Sequence, residues 1–83
     1  MFEKKDLTER EKEVLIRVGE GQSRSDIARS LNIEKTTVDK HVEAIFRKLG
    51  VQEKVGATVL GIYYEHLDIE TLAKGFLTKK DEL

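Results

Sequence analysis

The 83-residue chain contains no cysteine and no proline. Without cysteine there is no disulfide framework, no thiolate metal site and no cysteine nucleophile. Without proline, and with 37% charged and 39% apolar residues, the mixture suits helices and is poor in the turn-formers a β-sandwich needs. No apolar run approaches the roughly 20 residues that span a bilayer, and the opening MFEKKD lacks the apolar region of a signal peptide. The expectation is a soluble, cytoplasmic chain with no membrane partner. HExxH and Walker loops are also missing. His41 and His66 lie too far apart for a metal-binding spacing, and no Ser and Asp are arranged around either. We therefore expect no enzyme, no metal and no cofactor. A chain of this length has one modest core, burying about 60% of its unfolded surface.

A strong charge of either sign is lacking too: the formal net charge is −1. Its distribution is uneven. Residues 1–20 carry five basic against six acidic side chains, 21–54 carry seven against five, and 55–83 carry three against five. The only positive excess falls on the middle of the chain, which predicts weak non-specific affinity for a polyanion.

That middle, Ser23 to Gly50, reads as a short helix, a tight turn and a long helix. On a wheel of 100° per residue Val42, Ile45 and Leu49 all fall within about 40° of Val38, a stripe to be buried. Thr36, Lys40, Glu43 and Arg47 cluster on the opposite side. Two helices in this relation form a helix-turn-helix, whose second helix enters the major groove of DNA.

In chain order, Met1 to Asp6 is a polar, flexible arm. Leu7 precedes Thr8-x-x-Glu11, a capping box that opens the first helix with Leu7 as hydrophobic staple. Val14, Leu15 and Val18 supply its inner stripe, and Gly19-Glu20-Gly21 its end. A dinucleotide loop would need a third glycine where Arg24 stands and a strand before it. Ser23, with Asp26 three residues on, opens the second helix, whose inner face is Ile27, Ala28 and Leu31. Asn32 and Ile33 make the turn. Glu34 then occupies a cap position for which its side chain is poorly suited, although its charge favours the positive end of the helix.

The residues Leu7-Thr8-x-Arg10-Glu11-x-Glu13-Val14-Leu15, Asp26-Ile27-Ala28, Leu31, Ile33, Thr37-Val38, His41, Ile45 and Arg47-Lys48-Leu49-Gly50-Val51 resemble the DNA-binding domain of the LuxR/FixJ/GerE family of bacterial transcription regulators. The likeness covers about Leu7 to Leu67; region 4 of sigma factors shares much of the pattern. It implies an all-α domain of four helices, the third in the major groove and the fourth at a homodimer interface, acting by recruiting or blocking RNA polymerase. In that family the domain is often joined to a receiver or ligand-binding domain, so the chain is read as a standalone regulator or an excised domain.

One departure concerns the outer face of the third helix. The family usually follows its Thr-Val pair with lysine, where this chain has Asp39, Lys40 and, further on, Glu43. Phosphates repel carboxylates, yet a carboxylate that reaches a base edge accepts from the cytosine amino group, and lysine donates to guanine. The base-contact candidates are accordingly Thr36, Asp39, Lys40 and Glu43. Phosphate-contact candidates are Ser23, Arg24, Lys35, Thr37, Arg47 and Lys54, with Thr37 equally placed to act as a surrogate cap. A plainer reading pairs Glu43 with Arg47 and Lys35 with Asp39 along the helix.

Beyond Gly50 a fourth helix is expected from Lys54 to Glu65. Val55, Val59 and Ile62 make one apolar line, and Leu60, Tyr63 and Tyr64 widen it beyond what one neighbour needs. Val59, Leu60, Tyr63 and Tyr64 are the dimer-interface candidates. The alternative is a monomer whose 68–83 tail folds back, with Asp68 as cap and Ile69, Leu72, Ala73 and Phe76 at the spacing of a short fifth helix. The terminal Lys80-Asp81-Glu82-Leu83 spells an endoplasmic-reticulum retention string, read as coincidental without a signal peptide. A reading from another class keeps the fold but uses the mixed-charge third helix and apolar fourth helix to bind a protein.

Overall fold

The computed structural model describes residues 6–81; Met1 to Lys5 of the polar arm and the last two residues of the terminal string, Glu82 and Leu83, lie outside it. The order is α1 (Glu9–Gly19), α2 (Arg24–Leu31), α3 (Lys35–Leu49), α4 (Lys54–Tyr63) and α5 (Ile69–Asp81), with no strand among the described residues. The chain is all-α, as expected.

Local chemistry sets the helix starts. Thr8 accepts from the Glu11 N–H at 3.1 Å while the Glu11 carboxylate accepts from the Thr8 N–H at 2.9 Å, so two donors at the head of α1 are satisfied reciprocally. Ser23 and Asp26 repeat the device at α2. α3 has no such cap: Glu34 makes no side-chain cap bond. Asp68 takes the Thr71 N–H at 3.0 Å and starts α5. Left-handed residues end α2 and α3, Asn32 at φ 56° and Gly50 at φ 70°. After Asn32 the Ile33 N–H returns to the Ala28 carbonyl at 3.0 Å, and this tight turn sets α2 across α3.

The core lies where α1, α2 and α4 meet α3. Val14, Leu15, Ile27, Val38 and Ile45 are essentially sealed from solvent, with Leu7, Val18, Ala28, Val42 and Leu49 around them. Each such aliphatic side chain contributes about 1.5–3 kcal/mol, so one lost contact is a large share of what a domain this small can hold.

Two boundaries depart from expectation. α4 stops at Tyr63 rather than Glu65, because Glu65 takes a left-handed φ of 66° and the His66 and Leu67 N–H groups turn back to the Gly61 carbonyl at 2.8 and 3.1 Å. That reversal brings Leu67 over Gly61, where an added Cβ would stand 2.7 Å from Leu67 Cδ1. The tail helix is also longer than the short segment expected, 13 residues. It packs back through Leu72, whose Cδ2 lies 3.1 Å from where Gly19 would carry a Cβ.

A single carboxylate joins the two ends of the core. Besides closing the α1 cap, Glu11 receives the Lys48 ammonium from the last turn of α3 at 2.8 Å, and its side chain is only 7% exposed. Burial pushes its pKa up, but the Lys48 and Thr8 hydrogen bonds and the Lys48 charge together outweigh that and hold it below the ordinary 4.5. A depressed folded-state pKa gives stability that is present above the ordinary value and lost as pH falls through the folded one. Glu11→Gln should therefore cost about 1–2 kcal/mol at neutral pH. Denaturant midpoints measured from pH 7 downward should converge with the parent's on the acid side of 4.5; a constant offset would contradict this role for the charge.

Candidate nucleic-acid interface

Burying one stripe of α3 determines what the opposite stripe can do. Thr36, Lys40, Glu43 and Arg47 are all exposed. None of the four makes an ion pair or side-chain hydrogen bond with another described residue. Four hydrogen-bonding side chains, one neutral and three of alternating charge, thus project from one side of a rod 15 residues long, whose other side is fixed by packing. The intrahelical pairs Glu43–Arg47 and Lys35–Asp39 do not form.

Asp39 is placed differently from its neighbours. It sits at the edge of the stripe, half-buried, and receives Arg24 Nη1 from the first turn of α2 at 2.9 Å. The pairing therefore runs between helices rather than along one. Arg24 and Asp39 are brought together, and each occupies the other.

The phosphate-contact candidates are not gathered in one place. Ser23 is spent as a cap acceptor towards the Asp26 N–H, which leaves only its own O–H to donate. Hydrogen bonds from Arg29 and then Ser23 hold the Asp26 carboxyl below its ordinary pKa, so it stays charged at the head of α2. Lys35 is exposed and Thr37 half-buried in the first turn of α3, and Thr37 makes no cap bond there. No side chain caps that turn, and the carboxylate at its positive dipole end is that of Glu34 itself. Lys54 heads α4 and lines a cleft with Val18, Gly21, Val55, Val59 and Phe76, an apolar setting away from the α3 stripe. His41 is half-buried beside the core, and no group of His, Asp or Glu is assembled as metal ligands among the described residues.

On α4 the apolar band splits in two. Ala57 and Gly61 are buried against the core, with Leu60, Ile62 and Tyr64 packed beside them. Val55, Val59 and Tyr63 stand 72%, 57% and 54% exposed. Of the four dimer-interface candidates, then, Val59 and Tyr63 face outward and Leu60 and Tyr64 lean on the core. Tyr63 meets Tyr64 edge to face at 5.2 Å. Sequence periodicity could not separate these sides, because the inward one is chosen by its small residues.

Sequence reasoning missed the Arg24–Asp39 and Glu11–Lys48 pairs. Their separations of 15 and 37 residues leave no local signal; only the helix packing joins them.

A short α2 laid across a longer α3 with an exposed outer stripe defines a helix-turn-helix domain. Residues 5–60 match the family model for bacterial regulatory proteins of the LuxR family, and the chain belongs to that family. It is 46% identical over 54 residues to the nitrate/nitrite response regulator protein NarP of Escherichia coli, covering 65% of this chain and 25% of that protein. Over 59 residues it is 42% identical to the transcriptional regulatory protein LnrK of Bacillus subtilis, 71% of this chain and 27% of that one. A probable transcriptional regulatory protein NarL of Mycobacterium tuberculosis is 39% identical over 62 residues, 75% and 29%. The chain thus spans about a quarter of the length of these relatives. No solved structure matches it significantly. Among the described residues no helix is long and apolar enough to cross a membrane.

The two sides of α4 predict opposite responses to charge. Leu60→Glu puts an unpaired carboxylate against the core and should cost about 2 kcal/mol or more. At a concentration where the parent is monomeric, Val59→Glu should leave the denaturation midpoint within about 0.5 kcal/mol of the parent. Equal losses in the two variants would reverse the assignment of the sides.

Proposed function

We propose that this chain is the sequence-specific DNA-binding domain of a transcription regulator, acting in the cytoplasm on double-stranded DNA, with α3 in the major groove. The carrying observation is the outer stripe of α3, exposed and unpaired on a helix whose opposite stripe is core, in a member of the LuxR family. Lys40 is assigned to a guanine edge, Glu43 to a cytosine amino group, and Thr36 to either. Lys35, Thr37 and Arg47 flank them along the same helix, and Ser23 keeps one O–H, as contacts to phosphate. Occupying an operator would then recruit or obstruct RNA polymerase.

A homodimer through α4 is part of the proposal. The support is the exposed Val55, Val59 and Tyr63, an apolar surface that would place two copies of α3 in successive major grooves about one DNA turn apart.

Titration against random duplex and genomically selected fragments at two salt concentrations tests the binding. Affinity should fall with salt by roughly 0.9 log units per log unit for each phosphate neutralised. Lys40→Ala should cost about 1–3 kcal/mol on the selected fragment and flatten preference at one base pair. Salt-insensitive binding, or an unchanged preference in Lys40→Ala, would point instead to a fold kept for binding protein. For the dimer, sedimentation of Val59→Glu should give half the parent's mass at concentrations where the parent is a dimer. A parent that sediments as a monomer on DNA as well as free would remove this part of the reading.

A further inference from the structure

Arg24 and Asp39 meet across the angle between α2 and α3, guanidinium Nη1 to carboxylate Oδ1 at 2.9 Å, with side chains 48% and 36% exposed. Asp39 precedes Lys40 and borders the stripe assigned to base edges, so the pair stands at the rim of the surface that would meet DNA. A carboxylate offers arginine the same planar, charged acceptor that a phosphate does. We propose that Asp39 is an internal stand-in for phosphate. In the unbound protein it occupies Arg24, so that Arg24 adds little to the general attraction for duplex, and Asp39 determines specificity without reading a base. The inference rests on the DNA-binding reading above.

The charges around the pair support this role. Of the side chains on α3 or at its head, Lys35, Lys40 and Arg47 are cations without an ion-pair partner among the described residues, and Glu34 and Glu43 are anions without one. Were Arg24 to leave Asp39 for a phosphate, Asp39 would be left uncompensated beside the same backbone. Gain and loss nearly cancel, so the exchange is close to neutral on any sequence. What remains is carried by contacts that depend on the bases, and lowering sequence-independent attraction raises the ratio of specific to non-specific binding.

The test is a cycle of Asp39→Asn, Arg24→Gln and the double variant, each titrated over a salt series against random duplex and a genomically selected fragment. Thermal unfolding of all four proteins checks that the fold is kept. In Asp39→Asn the released Arg24 should add one phosphate contact. The log–log salt slope on random duplex should steepen by about 0.9, or about 3.5-fold more affinity lost between 50 and 200 mM salt. The ratio of specific to random binding should fall, and the double variant should return to the parental slope. Equal gains from Asp39→Asn with and without Arg24 would reduce the effect to bulk repulsion and overturn the inference. So would a changed preference at one base pair with an unchanged slope, since Asp39 would then be a base reader. A parent protein that binds no duplex overturns the DNA reading itself, whereas a binding parent with additive substitutions removes only this inference.

Discussion

A helix that buries one stripe must offer its opposite stripe to whatever lies outside, and the rest of this molecule follows from how α3 meets that constraint. Val38, Val42, Ile45 and Leu49 are at most 4% exposed. Their burial fixes the rotation of the helix about its own axis, because a turn of even 60° would expose at least one of them. Thr36, Lys40, Glu43 and Arg47 are thereby held outward without an ion pair or side-chain hydrogen bond of their own. α1 and α4 support this rod from the core side, and α2 is set across its beginning by the left-handed Asn32. The outer face needs no polar contacts to hold it in place because its position is inherited from the buried one.

Charge is divided in the same way between holding the fold and leaving a surface. Among the seven basic residues between 21 and 54, Arg24, Arg29 and Lys48 are committed to Asp39, Asp26 and Glu11, whereas Lys35, Lys40, Arg47 and Lys54 have no ion-pair partner among the described residues. The committed pairs differ in weight. Arg29–Asp26 is exposed, and such pairs contribute about 0–1 kcal/mol. Glu11–Lys48 has one partner nearly buried and already fixed by the α1 cap, so little side-chain freedom remains to be lost in forming it. Counting charges along the chain gives a small positive excess in this segment but cannot say which cations remain to supply it. Packing makes that selection.

What could be read from the sequence was what is decided locally. The partners in both capping boxes stand three residues apart, and the buried stripe of α3 runs over about three turns of one helix, so spacing alone identified them. The poor cap at Glu34 was legible for the same reason. The inward face of α4 was not, since a count of large apolar residues favours the line through Val55 and Val59, which is solvent-facing. Ala57 and Gly61 face inward because the chain reverses at Glu65 and sets Leu67 against Gly61 with no room for a Cβ. Arg24–Asp39 was illegible in a different sense. Both residues were candidates for DNA contact, but nothing in the sequence indicated that each would be the other's partner.

The tail bears on the proposed dimer through surface area. α5 lies beyond residues 5–60 that define the family match, and it seals Gly19 with Leu72 while the Phe76 ring approaches Gly21. It leaves Val55, Val59 and Tyr63 exposed. A stable interface of standard size takes about 800 Å² from each partner, against a total accessible surface of 5905 Å² here. Two valines and a half-exposed tyrosine fall well short of that share, since even a fully buried aromatic side chain contributes only about 150–250 Å². Phe76, half-exposed, lines the same cleft as Val55 and Val59. A symmetric pairing through α4 must therefore draw α5 into the contact, and self-association then depends on the folding of a segment outside the helix-turn-helix itself.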